Sequence, residues 1–152
     1  MPPLVIGDNS GFSDSAFIKV VYPLAQGAMN RSAWSTGPKD SVTWRINELF
    51  KAKTGQDMDD TSGRDMQAFF VLADAINRAG STKPEAIQAA LKQTDLKPEQ
   101  LMMGYKGVKF DDKGQNILAA AYLIQLTGDR YYAVYPEKAA EKPLVYPFKG
   151  WK

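Results

Sequence analysis

The side chains that carry most acid–base and metal chemistry in proteins are missing from this sequence. Its 152 residues include no histidine and no cysteine. That removes Ser-His-Asp and Cys-His nucleophile systems, thiolate ligands and most zinc chemistry. Carboxylate, lysine and arginine chemistry remain. Carboxylates paired across a cleft could act as acid and base, but the pattern places no such pair. The expectation is a protein that binds rather than catalyses, without a cofactor. The acidic run Asp57-Met58-Asp59-Asp60-Thr61-Ser62 invites a calcium reading. An EF-hand starting at Asp57 requires glycine where Ser62 stands and glutamate where Ala68 stands, so the run reads as a solvated loop and no metal site is expected.

Three other places could meet a ligand. Asp8-Asn9-Ser10-Gly11 follows a short apolar run, where an open α/β sheet would bind ligands outside the carboxyl end of a strand. The same residue types also dominate ordinary turns. Ser62 and Arg64 precede the strongest helical pattern. An arginine at a helix start opposes the macrodipole, and a ligand carboxylate is one reason to place it there; a solvated loop position is the other. Trp34 and Trp44 could stack along a cleft or fill a core.

The elements that must position these residues can be read from periodicity. Leu4-Val5-Ile6 has the pattern of a buried parallel strand. Ser13 or Asp14 can cap a helix bearing Phe17, Val20, Val21 and Leu24, which Pro23 ends or kinks. Residues 28–34 form a possible second strand. A helix from Asp40 carries Val42, Ile46, Leu49 and Phe50 on one face and stops at Gly55. Residues 56–63 read as a polar loop. The next helix buries a stripe of Met66, Phe69, Phe70, Ala73 and Ile76 and closes at Gly80. Thr82-Lys83-Pro84-Glu85 has the form of a capping box opening a third helix, with Ile87, Ala90 and Leu91 inward. Residues 107–114 read as strand and tight turn. Residues 118–126 and 130–135 form a hairpin about Thr127-Gly128-Asp129, and an extended tail follows. The order is strand-helix-strand, a helical block, then a β-hairpin region.

Apolar residues make up 44% and charged residues 24%, as in soluble globular domains, with 19 basic and 17 acidic residues interspersed. A net charge of +2 gives no concentrated basic face for nucleic acid. No run approaches the ~20 apolar residues of a membrane span. Residues 1–7 lack both the basic segment and the apolar run of a signal peptide, and are expected to be a cut edge inside a fold.

Three stretches carry a family likeness: residues 4–14 (Leu4 to Asp14); residues 68–80 (Ala68 to Gly80) with Pro84-Glu85-Ala86-Ile87; and residues 107–116 (Gly107 to Asn116) with the hairpin ending in Val134-Tyr135-Pro136. In this order they resemble the C-terminal part of the type I periplasmic solute-binding proteins, the branched-chain amino-acid-type substrate-binding subunits of ABC importers. The resemblance implies an α/β fragment of a two-lobed fold, with parallel sheet pieces flanked by helices and a C-terminal β-hairpin. Residues 1–33 and 105–152 would belong to one lobe and residues 34–104 to the other. It implies a small-molecule ligand held between lobes, an ABC permease as partner of the full-length parent, and a periplasmic parent. The same fold also serves ligand sensing without transport.

On this reading Asp8, Asn9, Ser10 and Arg64 are the ligand-binding candidates. In amino-acid-binding relatives the position aligned with Asn9 is acidic and holds the ligand's ammonium group. The neutral Asn9, beside Asp8, implies an aromatic or other organic acid in place of an α-amino acid. Apolar faces left bare by a missing lobe segment would drive association, so a homodimer is expected.

Overall fold

A computed structural model describes residues 5–8, 10–22 and 24–147. Asn9 and Pro23 therefore lie outside the described residues, as does Leu4 of the predicted first strand. The chain runs β1 (Ile6–Gly7), α1 (Ser10–Ser13), α2 (Ser15–Val21), β2 (Met29–Ser32), α3 (Val42–Thr54), α4 (Asp60–Ala79), α5 (Pro84–Lys92), β3 (Asp95–Leu96), β4 (Val108–Lys109), β5 (Tyr122–Thr127) and β6 (Arg130–Tyr135). No described helix is long and apolar enough to cross a membrane.

Two sheets result. The larger has the order β1-β2-β5-β6, with β1 and β2 parallel and the other neighbours antiparallel; β3 and β4 pair by themselves. Local chemistry accounts for much of this. Asp14 caps α2 by accepting from the Ala16 amide at 2.7 Å, and Ser41 caps α3 by accepting from Trp44 at 3.1 Å. Gly55, at φ 75, ends α3 in the left-handed region that a side chain would resist. Gly128, at φ 71, turns the β5–β6 hairpin where the sequence places it.

Elsewhere tertiary contacts overrule the pattern. β1 is an exposed edge, not a buried strand: Val5 is 38% and Ile6 57% exposed, because no described strand covers its outer side. Val20, Leu24, Val42 and Leu49 are likewise largely exposed. α4 begins at Asp60, within the stretch expected to be loop, so Ser62 and Arg64 lie inside the helix. Its buried line is Gly63, Gln67, Val71 and Ala75, while Phe69 and Phe70 of the expected stripe face out. Small residues win this face because the neighbours come close. A Cβ on Gly63 would lie 2.6 Å from Cε3 of Trp34 and 3.1 Å from the Met103 sulfur. Gln67 is buried for its polarity, since its Oε1 accepts the Met102 amide at 2.9 Å.

The capping box at the start of α5 does not form. Lys83 is the cap residue and makes no side-chain cap bond. Pro84 explains this, because a residue preceding proline is held extended, and Lys83 sits at φ −69, ψ 132. Proline does occupy the first turn, as read from the sequence. β5 starts at Tyr122, and Leu118 instead accepts from the Lys106 amide in the preceding loop.

The sheet and the helical block meet through a core of Ala33, Trp34, Met58, Met102 and Met103, against which Ile46, Phe50, Met66 and Tyr105 pack. One buried carboxylate fixes the junction. Oδ1 of Asp60 accepts from Ser32 Oγ at 2.6 Å and from the Ala33 amide at 2.9 Å, and Oδ2 pairs with Arg64 at 2.6 Å. Sitting in the first turn of α4, the carboxylate also faces the positive end of the helix dipole.

Removing that side chain should leave the Ala33 amide without its acceptor and the Ser32 hydroxyl with only the Trp34 carbonyl to donate to. Asp60→Ala is expected to cost about 3 kcal/mol of unfolding free energy in urea titration, and Asp60→Asn less, because its amide oxygen still accepts. A loss below about 0.5 kcal/mol for the alanine variant would show that this latch does not hold the fold.

Candidate functional site

The end of β2 delivers Ser32, Trp34, Ser35 and Thr36 into a cavity of about 500 Å³. Its other walls come from Ile18, Lys19 and Tyr22 of the α2 region, from Lys51 and residues 55–60 at the α3–α4 corner, and from Ile124, Asp129, Arg130 and Tyr131 of the hairpin strands. The site therefore lies beyond the carboxyl end of a strand that runs parallel to its neighbour, where open α/β sheets take ligands.

The α3–α4 corner is shaped by its own hydrogen bonds. Asn47, 1% exposed, donates to Asp57 Oδ1 at 2.7 Å and accepts the Met58 amide at 2.8 Å. The Met58 carbonyl accepts from Trp34 Nε1 at 3.0 Å, so the indole that lines the cavity is held by the corner it packs against. Asp59 closes a capping box with Ser62. Asp57 pairs with Lys51 at 3.0 Å. Burial pushes the Asp57 carboxyl up, but hydrogen bonds from Asn47 and Lys51 outweigh it and leave the group below its ordinary range. The Asp57 hydrogen bond in turn raises Lys51.

Three cations and four carboxylates line the cavity. Asp57, Asp59 and Asp60 are engaged in the bonds just described. Arg130 is held loosely: Nη1 reaches Thr36 Oγ1 at 3.5 Å, Nη2 lies 3.9 Å from Oε2 of Glu141, and the guanidinium carbon lies 4.3 Å from the centroid of Tyr132. It also hydrogen-bonds Tyr132, so its ties among the described residues are several but long. Beside it the Tyr131 hydroxyl is buried and finds no partner among the described residues, and burial pushes the phenol up to about 12.

Two of the residues expected from sequence to bind ligand, Asp8 and Arg64, do not line this cavity. Asp8 accepts from Arg31 Nε at 2.8 Å on the exposed side of the sheet. Gly7 is paired in register with Asn30, so the loop after β1 leaves the same sheet end as the cavity wall. Ser10 opens α1, and Asn9 lies outside the described residues. Arg64 is engaged by Asp60. Trp34 combines both roles considered for it, being buried in the core and exposed to the cavity on one side. Arg130, Lys51, Lys19 and Tyr131 carried no local sequence signal. The one available hint is the turn Gly128-Asp129, which fixes the direction of the arginine that follows.

No protein-family model matches the chain, and no curated protein matches it. Solved structures do. A leucine-binding protein of Thermotoga maritima superposes with a TM-score of 0.65 at 17% identity, over 86% of this chain and 36% of its own. A branched-chain amino acid transporter substrate-binding protein of Streptococcus pneumoniae, in complex with isoleucine, gives 0.67 at 16% identity, over 86% and 36%. A solute-binding protein of an ABC transporter from Rhodopseudomonas palustris, in complex with benzoate, gives 0.65 at 14% identity, over 91% and 36%. The chain thus has part of the type I periplasmic-binding-protein fold, and it spans about a third of the length of these structures.

The lowered Asp57 pKa makes the corner sensitive to acid. A carboxylate whose folded pKa lies below its unfolded value of about 3.9 stabilises the fold above that pH, and the contribution is lost as pH falls through the folded pKa. Asp57 is about half exposed, so screening keeps the effect small, under about 1 kcal/mol. Asp57→Asn should therefore lose less stability than the wild type between pH 5 and pH 2 in urea titrations of both. Parallel acid profiles would exclude this linkage.

Proposed function

We propose that the chain is the partial solute-binding component of an ABC import system, and that its cavity takes a small carboxylate-bearing molecule with the carboxylate on Arg130. The supporting observation is the loosely held Arg130 guanidinium, which faces an aromatic-walled cavity of about 500 Å³ beside the hydroxyl-bearing loop of Ser35 and Thr36. Arginine matches carboxylate geometry with paired donors, and Trp34, Tyr22 and Tyr131 supply apolar surface for the ligand body. Carboxylates are common to the leucine, isoleucine and benzoate of the similar structures. The Asp8-Asn9-Ser10 loop would extend the rim from the β1 side, and Arg64 contributes indirectly by neutralising Asp60. The role is one of binding, not catalysis.

In this proposal residues 1–33 and 105–152 contribute to one lobe and residues 34–104 to the other, with a periplasmic parent and its permease as the wider setting. A second reading concerns the ligand alone. Asp129 lines the cavity beside Arg130, so it could hold the ammonium of an α-amino acid in place of the neutral Asn9. Calorimetric titration of the chain with benzoate and with leucine decides between them. Benzoate binding weakened at least about tenfold by Arg130→Gln is expected. Tighter leucine binding that depends on Asp129 would favour the second reading, and binding indifferent to Arg130→Gln would exclude the proposed carboxylate site.

The exposed apolar face of α4 supports a second copy of the chain as partner. Phe69 is 63%, Phe70 43% and Leu72 43% exposed, a contiguous set that isolated monomers seldom leave bare. Light scattering should give twice the chain mass, and Phe69→Glu with Leu72→Glu should return it to one. A wild-type monomer at high micromolar concentration would refute the dimer.

A further inference from the structure

Arg130 has a neighbour that competes with any incoming anion. Glu141 lies in the tail beyond β6, with its side chain only 15% exposed. Its Oε1 accepts a hydrogen bond from Ser35 Oγ and another, at 3.4 Å, from the Ala133 amide; its Oε2 lies 3.9 Å from Arg130 Nη2. The backbone holds it in place as well, since its amide donates to the Ala133 carbonyl at 2.8 Å. Ser35 and Arg130 both line the cavity, while Glu141 stands behind them. The two oxygens therefore do separable work. Oε1 holds the 35–37 loop, where Ser35 Oγ also accepts the Gly37 amide at 3.1 Å. Oε2 offsets the charge of Arg130 without a close ion pair.

We propose that Glu141 is an internal counter-anion that sets how strongly Arg130 attracts a carboxylate in the cavity. This deepens the reading of the cavity as a carboxylate site and rests on it. A buried carboxylate at this distance lowers the positive potential that a ligand carboxylate meets at the guanidinium. Glu141 is thus a positioning and tuning residue and need not touch the ligand.

Glu141→Gln tests this, because the amide keeps the shape and the Oε1 acceptor for Ser35 while removing the charge. Calorimetry would use benzoate and its neutral isostere benzamide on the full chain. The expected result is a roughly fivefold gain in benzoate affinity, the size of one unit charge acting across several ångströms of partly exposed protein, with benzamide affinity unchanged. A wild type too weak to measure, with benzoate binding appearing in the variant, supports the proposal equally. If the wild type binds benzoate and the variant binds it no better, or gains equally for benzamide, the counter-anion role is overturned while the carboxylate site stands. If neither protein binds benzoate or leucine, both readings fall together. Should the amide variant fail to fold, Glu141→Asp draws the charge back by one methylene, and a smaller gain confined to benzoate is expected.

Discussion

The Asp60 carboxylate is placed where the sheet and the helical block have to agree. Ser32 and Ala33 end β2, Asp60 begins α4, and the bonds between them span 27 and 28 residues of sequence. A buried carboxylate of this kind is tolerated only when every lone pair finds a donor. Here the donors are a hydroxyl, a backbone amide and the Arg64 guanidinium, with the helix N-terminus adding its dipole. The latch aims the next residue, Trp34, at Gly63, where only a missing side chain leaves room for the indole. The cavity wall, the core cluster and the start of the longest helix thus share one anchor.

The same logic governs the charges around the cavity. An acidic run that looks, in one dimension, like a solvated loop is largely committed to structure: Asp57 to Asn47 and Lys51, Asp59 to the α4 cap, Asp60 to β2. Each commitment turns a carboxylate away from the role of ligand partner. The acidic wall then repels an anion less than its formal charge suggests, because every one of these carboxylates has a donor or a cation at close range.

What could be read in the sequence follows from how local the cause is. The hairpin about Gly128, the Asp14 cap and the glycine stops at Gly55 and Gly80 depend on residues within a turn of each other, and each stands where the pattern put it. The likeness to solute-binding proteins read from the sequence as a whole likewise holds in the fold. The facing of α4 could not be read this way. Hydrophobicity favours Phe69 and Phe70, whereas the buried line was chosen by clearance against Trp34 and by the Met102 amide that Gln67 satisfies. Arg130 was equally silent, since its partners Thr36 and Glu141 lie on either side of it in sequence, one of them 94 residues away.

The tail shows why such long-range ties matter for a binding site. Gln125, 1% exposed, accepts the Val145 amide and donates to the Val145 carbonyl, so a side chain imitates a strand partner and ties the tail to β5. Glu141 sits on the span between that tie and β6, with Ser35 and Arg130 as its contacts. A tail fixed at both ends holds its carboxylate at a set distance from the guanidinium, and a fixed distance is what lets one charge tune another. A freely moving tail would average the effect toward the solvent-screened limit. Under the counter-anion proposal, the ties at Gln125 and Ala133 therefore bear on the electrostatics of the cavity, although Glu141 does not line it.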